Sequence, residues 1–260
     1  MKALTILGLV AVATSNQIKF YNNCRYKVWP GILGNSGKEH PEGGGFALDA
    51  RQTKIVTVAN DWAGKIWPRT HCDSSGHCQT GDCGNKIQCN GSVGAQPIST
   101  LEFTLAGGLG LDFYDINLVE GFNVPVKIEP TDGFHKRNGD RRSCTPVGCR
   151  SDLNSNPFLS NFRYRSLCLN TICPKQLAVK FGRSTIGCMS ACNKFKTDLY
   201  CCRGNHSNPS TCNSSKWPIN YPGIFERACP TAYSYPFHDR QNTYSCRGDP
   251  IVNYRIIFCP

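Results

Sequence analysis

Charged residues are scarce in this chain of 260 residues, since Asp, Glu, Lys and Arg together make up 18% of it. That low fraction, together with 25 Gly and 16 Pro, excludes a coiled coil. Long apolar runs are also lacking, because no stretch reaches the ~18 residues that a membrane-spanning helix needs. Acidic residues are outnumbered by basic ones, 18 against 29, which gives a formal charge of +11.

Motifs of common enzyme classes are missing as well. The sequence has no Gly-x-Ser-x-Gly, no His-Glu-x-x-His and no phosphate-binding loop. No two Cys-x-x-Cys pairs occur and the six His are scattered, so we expect neither a zinc site nor another cofactor. Basic residues are dispersed apart from a cluster at 136–142, which does not form a nucleic-acid footprint. An anionic microbial wall or membrane surface is the better-suited partner for the positive charge.

Cysteine, in contrast, is abundant: 17 residues, about one in fifteen. Such a content indicates an oxidising compartment. The N-terminus agrees, because Lys2 precedes an apolar run at 3–13 that ends in small and polar residues. We therefore predict a secretory signal at 1–16 and a secreted, extracellular protein at 17–260; the alternative is a buried N-terminal strand. Asn90, Asn205 and Asn213 are Asn-x-Ser/Thr glycosylation acceptors and are predicted to lie in exposed loops.

Short β-type runs dominate the N-terminal half. Residues 54–58 alternate and are β-branched, and residues 101–105 keep a period of two. Further apolar runs lie at 111–118, 122–128 and 252–258. Gly-rich turns separate the runs, so we predict a mainly β fold of the sandwich or barrel type. Pairing of the last run with a core that opens near residue 18 would bring the two ends of the chain together.

The region 144–246 differs in composition from the β-rich N-terminal half. It holds 11 of the 17 cysteines between long polar loops. We expect it to bury little apolar surface and to depend on disulfides of ~2–5 kcal/mol each. A single short helix is predicted at 190–200. The β core then comprises 17–143 and 247–260.

Several segments resemble the thaumatin-like protein family. Residues 76–89, Gly-His-Cys-Gln-Thr-Gly-Asp-Cys-Gly-Asn-Lys-Ile-Gln-Cys, are similar to the family signature, and 65–72 to the segment before it. Further landmarks are Asp112-Phe113-Tyr114-Asp115, Gly121-Phe122-Asn123-Val124-Pro125, Tyr200-Cys201-Cys202 and the segment 229–236. They follow the family order from about residue 18 to 260. The chain is identified as a member of this family, of the pathogenesis-related osmotin and thaumatin type. Residues 28–34 and 118–121 are more similar to animal members than to plant ones.

The resemblance implies a β-sandwich core with a disulfide-rich region of loops and short helices. It also implies eight bridges: Cys24–Cys259, Cys72–Cys78, Cys83–Cys89, Cys144–Cys246, Cys149–Cys229, Cys173–Cys188, Cys192–Cys201 and Cys202–Cys212. Cys168 has no counterpart, because it lies in a stretch at 150–172 that is much shorter in plant members. It is a free thiol, part of an intermolecular bridge, or a competitor for Cys173.

An acidic cleft that binds or hydrolyses β-1,3-glucan is implied as well. The matching positions are Glu102, Asp115, Glu120 and Asp239, with Lys65 as the basic member. If hydrolysis occurs, we expect Glu102 to act as the acid and Asp115 as the base or nucleophile, with Lys65, Glu120 and Asp239 binding substrate. Each acid alone also fits a structural role on a strand face or in a turn. Lys65 replaces the arginine of many antifungal members, and Glu120 the usual aspartate.

Three hypotheses follow for this chain, which we expect to be a monomer. The favoured one is a defence protein that binds fungal or microbial β-1,3-glucan without turnover. A weak endo-β-1,3-glucanase is the second. The third is a role outside antimicrobial defence, as an extracellular ligand or an inhibitor of a foreign hydrolase, for which the stretch 150–172 would supply a new surface.

Overall fold

Two β-sheets form the framework of the protein, seen in a computed structural model that describes residues 15–150, 173–238 and 242–260. The strands are β1 (Ser15–Asn22), β2 (Trp29–Gly34), β3 (Thr53–Ala59), β4 (Ala63–Cys72), β5 (Cys78–Thr80), β6 (Thr100–Thr104), β7 (Asp112–Asn117), β8 (Val126–Pro130), β9 (Phe134–His135), β10 (Val147–Gly148), β11 (Ala178–Phe181), β12 (Ser184–Cys188), β13 (Ala232–Tyr233), β14 (Tyr244–Gly248) and β15 (Tyr254–Phe258). Short 3-10 helices lie at Pro41–Gly44, Gly108–Gly110, Gly204–His206 and Ser214–Lys216.

The first sheet has the strand order β10-β8-β15-β1-β3. Its centre joins the two ends of the chain, because β1 pairs in parallel with β15, with Ile18 opposite Tyr254. Alternate residues of β1 point inward, so that Ile18 and Phe20 are buried. The expected meeting of the first and last strands is therefore confirmed.

The second sheet has the order β2-β4-β6-β7-β14-β9, with β5 paired to β4 and β13 paired to β7. Its inner face contributes Phe103 and Tyr114 to the core. Their ring centroids lie 5.4 and 5.5 Å from the ring of Tyr254 in the first sheet. The two sheets thus pack face to face, and the predicted β-sandwich is confirmed.

The run predicted at 122–128 becomes a strand only from Val126. The reason is the buried side chain of Asn123. It bonds to backbone groups that would otherwise pair between strands. Its Oδ1 accepts from the backbone N–H groups of Ser99 and Val124, and its Nδ2 donates to the carbonyl of Pro68. The loop before β8 is therefore fixed by one amide side chain.

Among the described residues of the disulfide-rich region, three segments are α-helical: α1 (Ala191–Phe195), α2 (Asp198–Cys201) and α3 (Tyr221–Ala228). A single helix was predicted at 190–200, but the structure has two. Lys196 adopts a left-handed conformation with φ 58° and ends the first of them. Helix α3 was not predicted, although Asn220 caps it by accepting from Gly223 N–H.

This region also contains a buried aromatic cluster. Trp217, Tyr221 and Phe225 are each at most 6% exposed. The ring of Tyr200 packs edge-on against Trp217 at 5.1 Å. The expectation that the region buries little apolar surface is therefore wrong, since its helices and loops carry aromatic side chains that pack with one another and with the main core.

Eight disulfides are present among the described residues. They join Cys24–Cys259, Cys72–Cys78, Cys83–Cys89, Cys144–Cys246, Cys149–Cys229, Cys173–Cys188, Cys192–Cys201 and Cys202–Cys212. This is the pairing that the resemblance implies. Cys168 and the stretch 151–172 lie outside the described residues. In the described ranges no helix is both long enough and apolar enough to span a bilayer.

Residues 1–14 of the expected signal also lie outside the described ranges. Ser15 and Asn16, by contrast, already belong to β1 and pair with β3. The Asn16 amide is buried and donates to the carbonyl of Val252 at 2.6 Å. The strand therefore begins inside the segment 1–16.

Arg69 is a fully buried cation on β4. Burial lowers its pKa to about 10, although the charge of Asp82 offsets part of the effect. Its acceptors are the carbonyls of Trp29, Pro30, Lys86 and Ile87, at 2.9, 3.2, 2.6 and 2.6 Å. One guanidinium therefore connects β2 and β4 to the loop closed by Cys83–Cys89.

Candidate functional site

A row of charged side chains crosses three neighbouring strands of the second sheet. Lys65 on β4 lies opposite Glu102 on β6, and Glu102 lies opposite Asp115 on β7. Residues directly opposite in antiparallel strands share a face and have Cβ atoms about 4.5–5.5 Å apart. The neighbours Phe103 and Tyr114 point into the core, so this charged row faces away from it. Three of the expected cleft residues are therefore adjacent.

Lys65 and Glu102 form an ion pair, with 3.0 Å between Nζ and Oε1. Burial opposes the charged lysine, but the hydrogen bond and charge of Glu102, with the charges of Glu120 and Asp115, outweigh it and raise the pKa of Lys65. The ammonium is thus held among carboxylates. Both partners keep part of their side chains in water, 43% for Lys65 and 30% for Glu102, and remain accessible to a ligand.

Asp115 has a different environment from Glu102. Its Oδ1 atom is buried and has no hydrogen-bond partner among the described residues. Burial, followed by the charge of Glu102, raises the pKa of Asp115 to about 7, and the charge of Lys65 offsets part of this rise. Near neutral pH this carboxyl therefore exchanges a proton, whereas its neighbour is held next to a cation.

Glu120 lies at the edge of the row, in the turn after β7. Its charge acts on Lys65, and its carbonyl accepts from Asn193 Nδ2 of α1 at 3.2 Å. The next residue, Gly121, has φ 109°, and a Cβ there would come within 2.8 Å of the Cys188 carbonyl oxygen. This turn therefore joins the row to the disulfide-rich region. Asp239, the fourth expected acid, lies outside the described residues.

Two polar residues next to the row were missed from the sequence. Asn117 Nδ2 donates to Glu102 Oε1 at 3.5 Å, and the period of two along β7 could have identified it. Tyr233 on β13 is the other: its hydroxyl lies 2.5 Å from Thr243 Oγ1, and burial with the charges of Asp115 and Glu102 raises its pKa. Only the parallel pairing of β13 with β7 brings Tyr233 there, and no local pattern indicates it.

The expected glycosylation acceptors lie at the surface. Asn90 and Asn205 are exposed and Asn213 is half-buried. Across the parts of the chain that the structure describes, no group of three or more His, Cys, Asp or Glu side chains is arranged to hold a metal ion.

Fold and site together define a cystine-rich β-sandwich that carries a charged row on the outer face of its larger sheet. The sequence model of the thaumatin family matches residues 22–260, and the chain belongs to that family. It is 39% identical over 257 residues to "Pathogenesis-related protein 5" of Arabidopsis thaliana, covering 97% of this chain and 93% of the relative.

Two other relatives have comparable similarity. "Pathogenesis-related thaumatin-like protein 3.5" of Cryptomeria japonica is 41% identical over 243 residues, covering 92% of this chain and 88% of the relative. A protein of Prunus avium named "Glucan endo-1,3-beta-glucosidase" is 38% identical over 264 residues, covering 99% and 96%. One relative of nearly full-length similarity is therefore named for the hydrolysis of β-1,3-glucan.

Proposed function

We propose that this chain is a secreted defence protein that binds β-1,3-glucan of fungal or microbial walls through the row formed by Lys65, Glu102 and Asp115. The observation that carries the proposal is the register of β4, β6 and β7, which aligns a cation and two carboxyls on one surface. Such a row offers donors and acceptors to the hydroxyl groups of a sugar. The similarity to a protein named as a β-1,3-glucosidase supports glucan as the ligand.

Binding is favoured over hydrolysis by the placement of the two carboxyls. Glycosidases use two carboxyl groups that flank the scissile bond. Glu102 and Asp115 are cross-strand neighbours of one sheet and approach a ligand from the same side. They are therefore better placed to hold adjacent hydroxyls than to act on opposite faces of one sugar.

A weak endo-β-1,3-glucanase is the second candidate, because Asp115 has the raised pKa of about 7 that suits a general acid. The roles would then be the reverse of those expected from the sequence. Asp115 would donate the proton, and Glu102, held next to the Lys65 ammonium, would act as the base or nucleophile.

Secretion is part of the proposal. Eight disulfides require an oxidising compartment to form. Because Ser15 and Asn16 pair with β3, we propose that the signal is cleaved before Ser15 and not after residue 16. N-terminal sequencing of the secreted protein tests this position.

The glucan proposal is tested by retention on insoluble β-1,3-glucan and, in parallel, by release of reducing ends from soluble β-1,3-glucan. We expect Glu102→Gln and Asp115→Asn to weaken retention about tenfold or more, since each removes a charged or proton-donating partner. Asp132→Asn, an exposed aspartate outside the row, is the matched control and should be retained like the wild type. Release of reducing ends that both row variants abolish would establish hydrolysis. A wild type with neither retention nor release would contradict both functions.

A further inference from the structure

A groove of about 740 Å³ lies in the disulfide-rich region. Its walls come from the 3-10 helix Ser214–Lys216, from helix α3 with its cap, and from the segment 235–238. Asn213, one of the three Asn-x-Ser/Thr acceptors, also lines it and is half-buried, whereas Asn90 and Asn205 are exposed. The volume falls within the range of about 300–1,000 Å³ that is usual for sites of small ligands. A glycosylation acceptor thus forms part of the wall of a groove large enough for a ligand.

The side chain of Asn213 is held in one orientation. Its Oδ1 accepts from the backbone N–H of Ser215 at 3.0 Å, and the preceding Cys212 is bonded to Cys202. Because an amide is planar, fixing Oδ1 also fixes Nδ2, the atom to which an N-linked sugar is joined. Within the described ranges Nδ2 has no hydrogen-bond partner of its own. The acceptor atom is therefore oriented by the fold and available for the sugar.

Rings form the apolar wall of the groove. Tyr235 packs edge-on against the buried Trp217, with 5.8 Å between the ring centroids, and stacks with His238 at 6.1 Å. Phe237 is half-buried, and among the described residues its ring has no aromatic neighbour. The exposed Pro236 lies between them in the chain. The C–H groups on the face of a pyranose ring are apolar, so burying them against such rings is favourable.

Polar groups of helix α3 and its cap stand beside these rings. Glu226 Oε1 accepts from Ser234 Oγ at 3.0 Å, while Oε2 has no hydrogen-bond partner in the parts of the chain that the structure describes. The Glu226 side chain is 38% exposed, and Asn220 in the same wall is exposed as well. A carboxylate oxygen and a carboxamide are suited to the hydroxyl and acetamido groups of N-acetylglucosamine.

We infer that the groove binds the N-linked glycan of Asn213, with its first N-acetylglucosamine residues packed on Phe237 and Tyr235 and hydrogen-bonded to Glu226. The covalent link carries the choice of occupant. A ligand joined to the wall of its own site has an effective concentration on the order of millimolar, so contacts too weak to hold a free sugar are sufficient here. The fixed amide of Asn213 lowers the entropic cost of these contacts further.

The inference rests on the proposed secretion, because N-glycans are added to chains that enter the secretory pathway. It does not rest on glucan binding, since none of Lys65, Glu102 and Asp115 lines the groove. A bound glycan would cover the rings and join the 3-10 helix Ser214–Lys216 to the segment 235–238. Asn213→Gln should therefore be retained on β-1,3-glucan like the wild type.

The test uses the full protein secreted from eukaryotic cells, and mass spectrometry follows release of each glycan from the native protein by a peptide N-glycosidase. We expect release from Asn213 to be at least about tenfold slower than from Asn205, which corresponds to about 1.4 kcal/mol. The difference should vanish after reduction and unfolding. Phe237→Ser with Glu226→Gln should remove most of the protection. The matched control Phe181→Ser with Glu39→Gln, at two exposed residues outside the groove, should leave it unchanged.

A second measurement observes the contact without changing the groove. In Asn90→Gln with Asn205→Gln, of the three acceptors only Asn213 carries a glycan. Nuclear Overhauser effects from ¹³C-labelled N-acetylglucosamine to the ring protons of Phe237 or Tyr235 are expected in this variant. The matched variant Asn90→Gln with Asn213→Gln, which keeps the glycan of Asn205, should show none.

Several outcomes would overturn the inference: a secreted protein with a glycan at Asn205 but none at Asn213, equal rates of release from the two sites, or slow release that persists in Phe237→Ser with Glu226→Gln. Absence of any sugar-to-ring contact would overturn it as well. A protein that stays in the cell without N-glycans would overturn the proposed secretion together with this inference. Retention on β-1,3-glucan tests the charged row separately.

Discussion

Glu102 and Asp115 lie directly opposite each other on β6 and β7, yet within the described ranges only Glu102 has a cation at hydrogen-bond distance. The Lys65 ammonium pairs with the Glu102 carboxylate, and the charge of Glu102 contributes to the raised pKa of Asp115. Two chemically similar side chains on one surface thus have different environments, since one is paired with a cation and the other is mostly buried. This asymmetry gives the row a proton donor and an acceptor at once.

The first prediction concerns the dependence of stability on pH. With a pKa of about 7 in the folded state against 3.8 for a free carboxyl, the folded protein binds more protons than the unfolded one between these values. The Asp115 contribution to the free energy of unfolding is therefore fully present below pH 4 and is lost as the pH rises to 7. As the pH rises from 4 to 8, the free energy of unfolding of Asp115→Asn should therefore increase by about 2–4 kcal/mol relative to that of the wild type. Urea unfolding at pH 4 and pH 8 measures these free energies. The same change with pH in the two proteins would contradict the prediction.

Removal of the cation should move the Asp115 titration further. The positive charge of Lys65 lowers the pKa of Asp115, so Lys65→Met is expected to shift the midpoint upward. Carboxyl carbon chemical shifts followed by NMR report this midpoint directly. Lys175→Met, at an exposed lysine outside the row, serves as the control and should leave it unchanged. A midpoint that falls in Lys65→Met would show that other groups set the environment of Asp115.

Arg69→Lys should destabilise the fold although it preserves the charge. The planar guanidinium of Arg69 donates to four backbone carbonyls, and an ammonium cannot reach all of them in the same geometry. Carbonyls left without a donor cost about 1–3 kcal/mol each, so we expect a loss of about 2–5 kcal/mol in the free energy of unfolding. The exposed Arg203→Lys should change it by less than about 0.5 kcal/mol. Equal effects at the two positions would contradict the role assigned to Arg69.

Tyr254→Phe tests a buried hydrogen bond in the centre of the sandwich. The Tyr254 hydroxyl donates to Asp112 Oδ2 at 2.8 Å, and both residues are buried. The phenylalanine keeps the packing but leaves this oxygen without its donor, which should cost about 1–3 kcal/mol. Tyr21→Phe, whose hydroxyl donates to Asn23 in a half-buried position, is the comparison and should cost less. Thermal unfolding of both variants measures the difference.

Local patterns predicted several strands of the two sheets, but not all of them. Residues 54–58 alternate in the sequence and lie in β3, and residues 101–105 overlap β6 by four residues. These predictions succeeded because a half-buried strand repeats every two residues. Helix α3 was not predicted because it has only eight residues and contains Gly223. Asn220 and Pro222 are nevertheless ordinary signals for the start of a helix.

The candidate site was only partly predictable, for a different physical reason. Glu102 and Asp115 were identified by their motifs, but their ion-pairing and burial depend on which strands become neighbours, and that is a non-local property. Arg69 gives no sign of burial in the sequence, because arginine is usually exposed. The contact of Tyr26, His71 and Phe181 likewise requires three segments that only the fold brings together.

The bridge between Cys24 and Cys259 makes the chain a covalent ring. A protease that cuts an exposed loop anywhere between these residues opens the backbone, but the two pieces remain a single molecule. Such nicked protein would migrate as one band on a non-reducing gel and separate only after reduction. For a protein proposed to bind microbial walls, a single cleavage between these two cysteines would therefore leave all of its residues covalently connected.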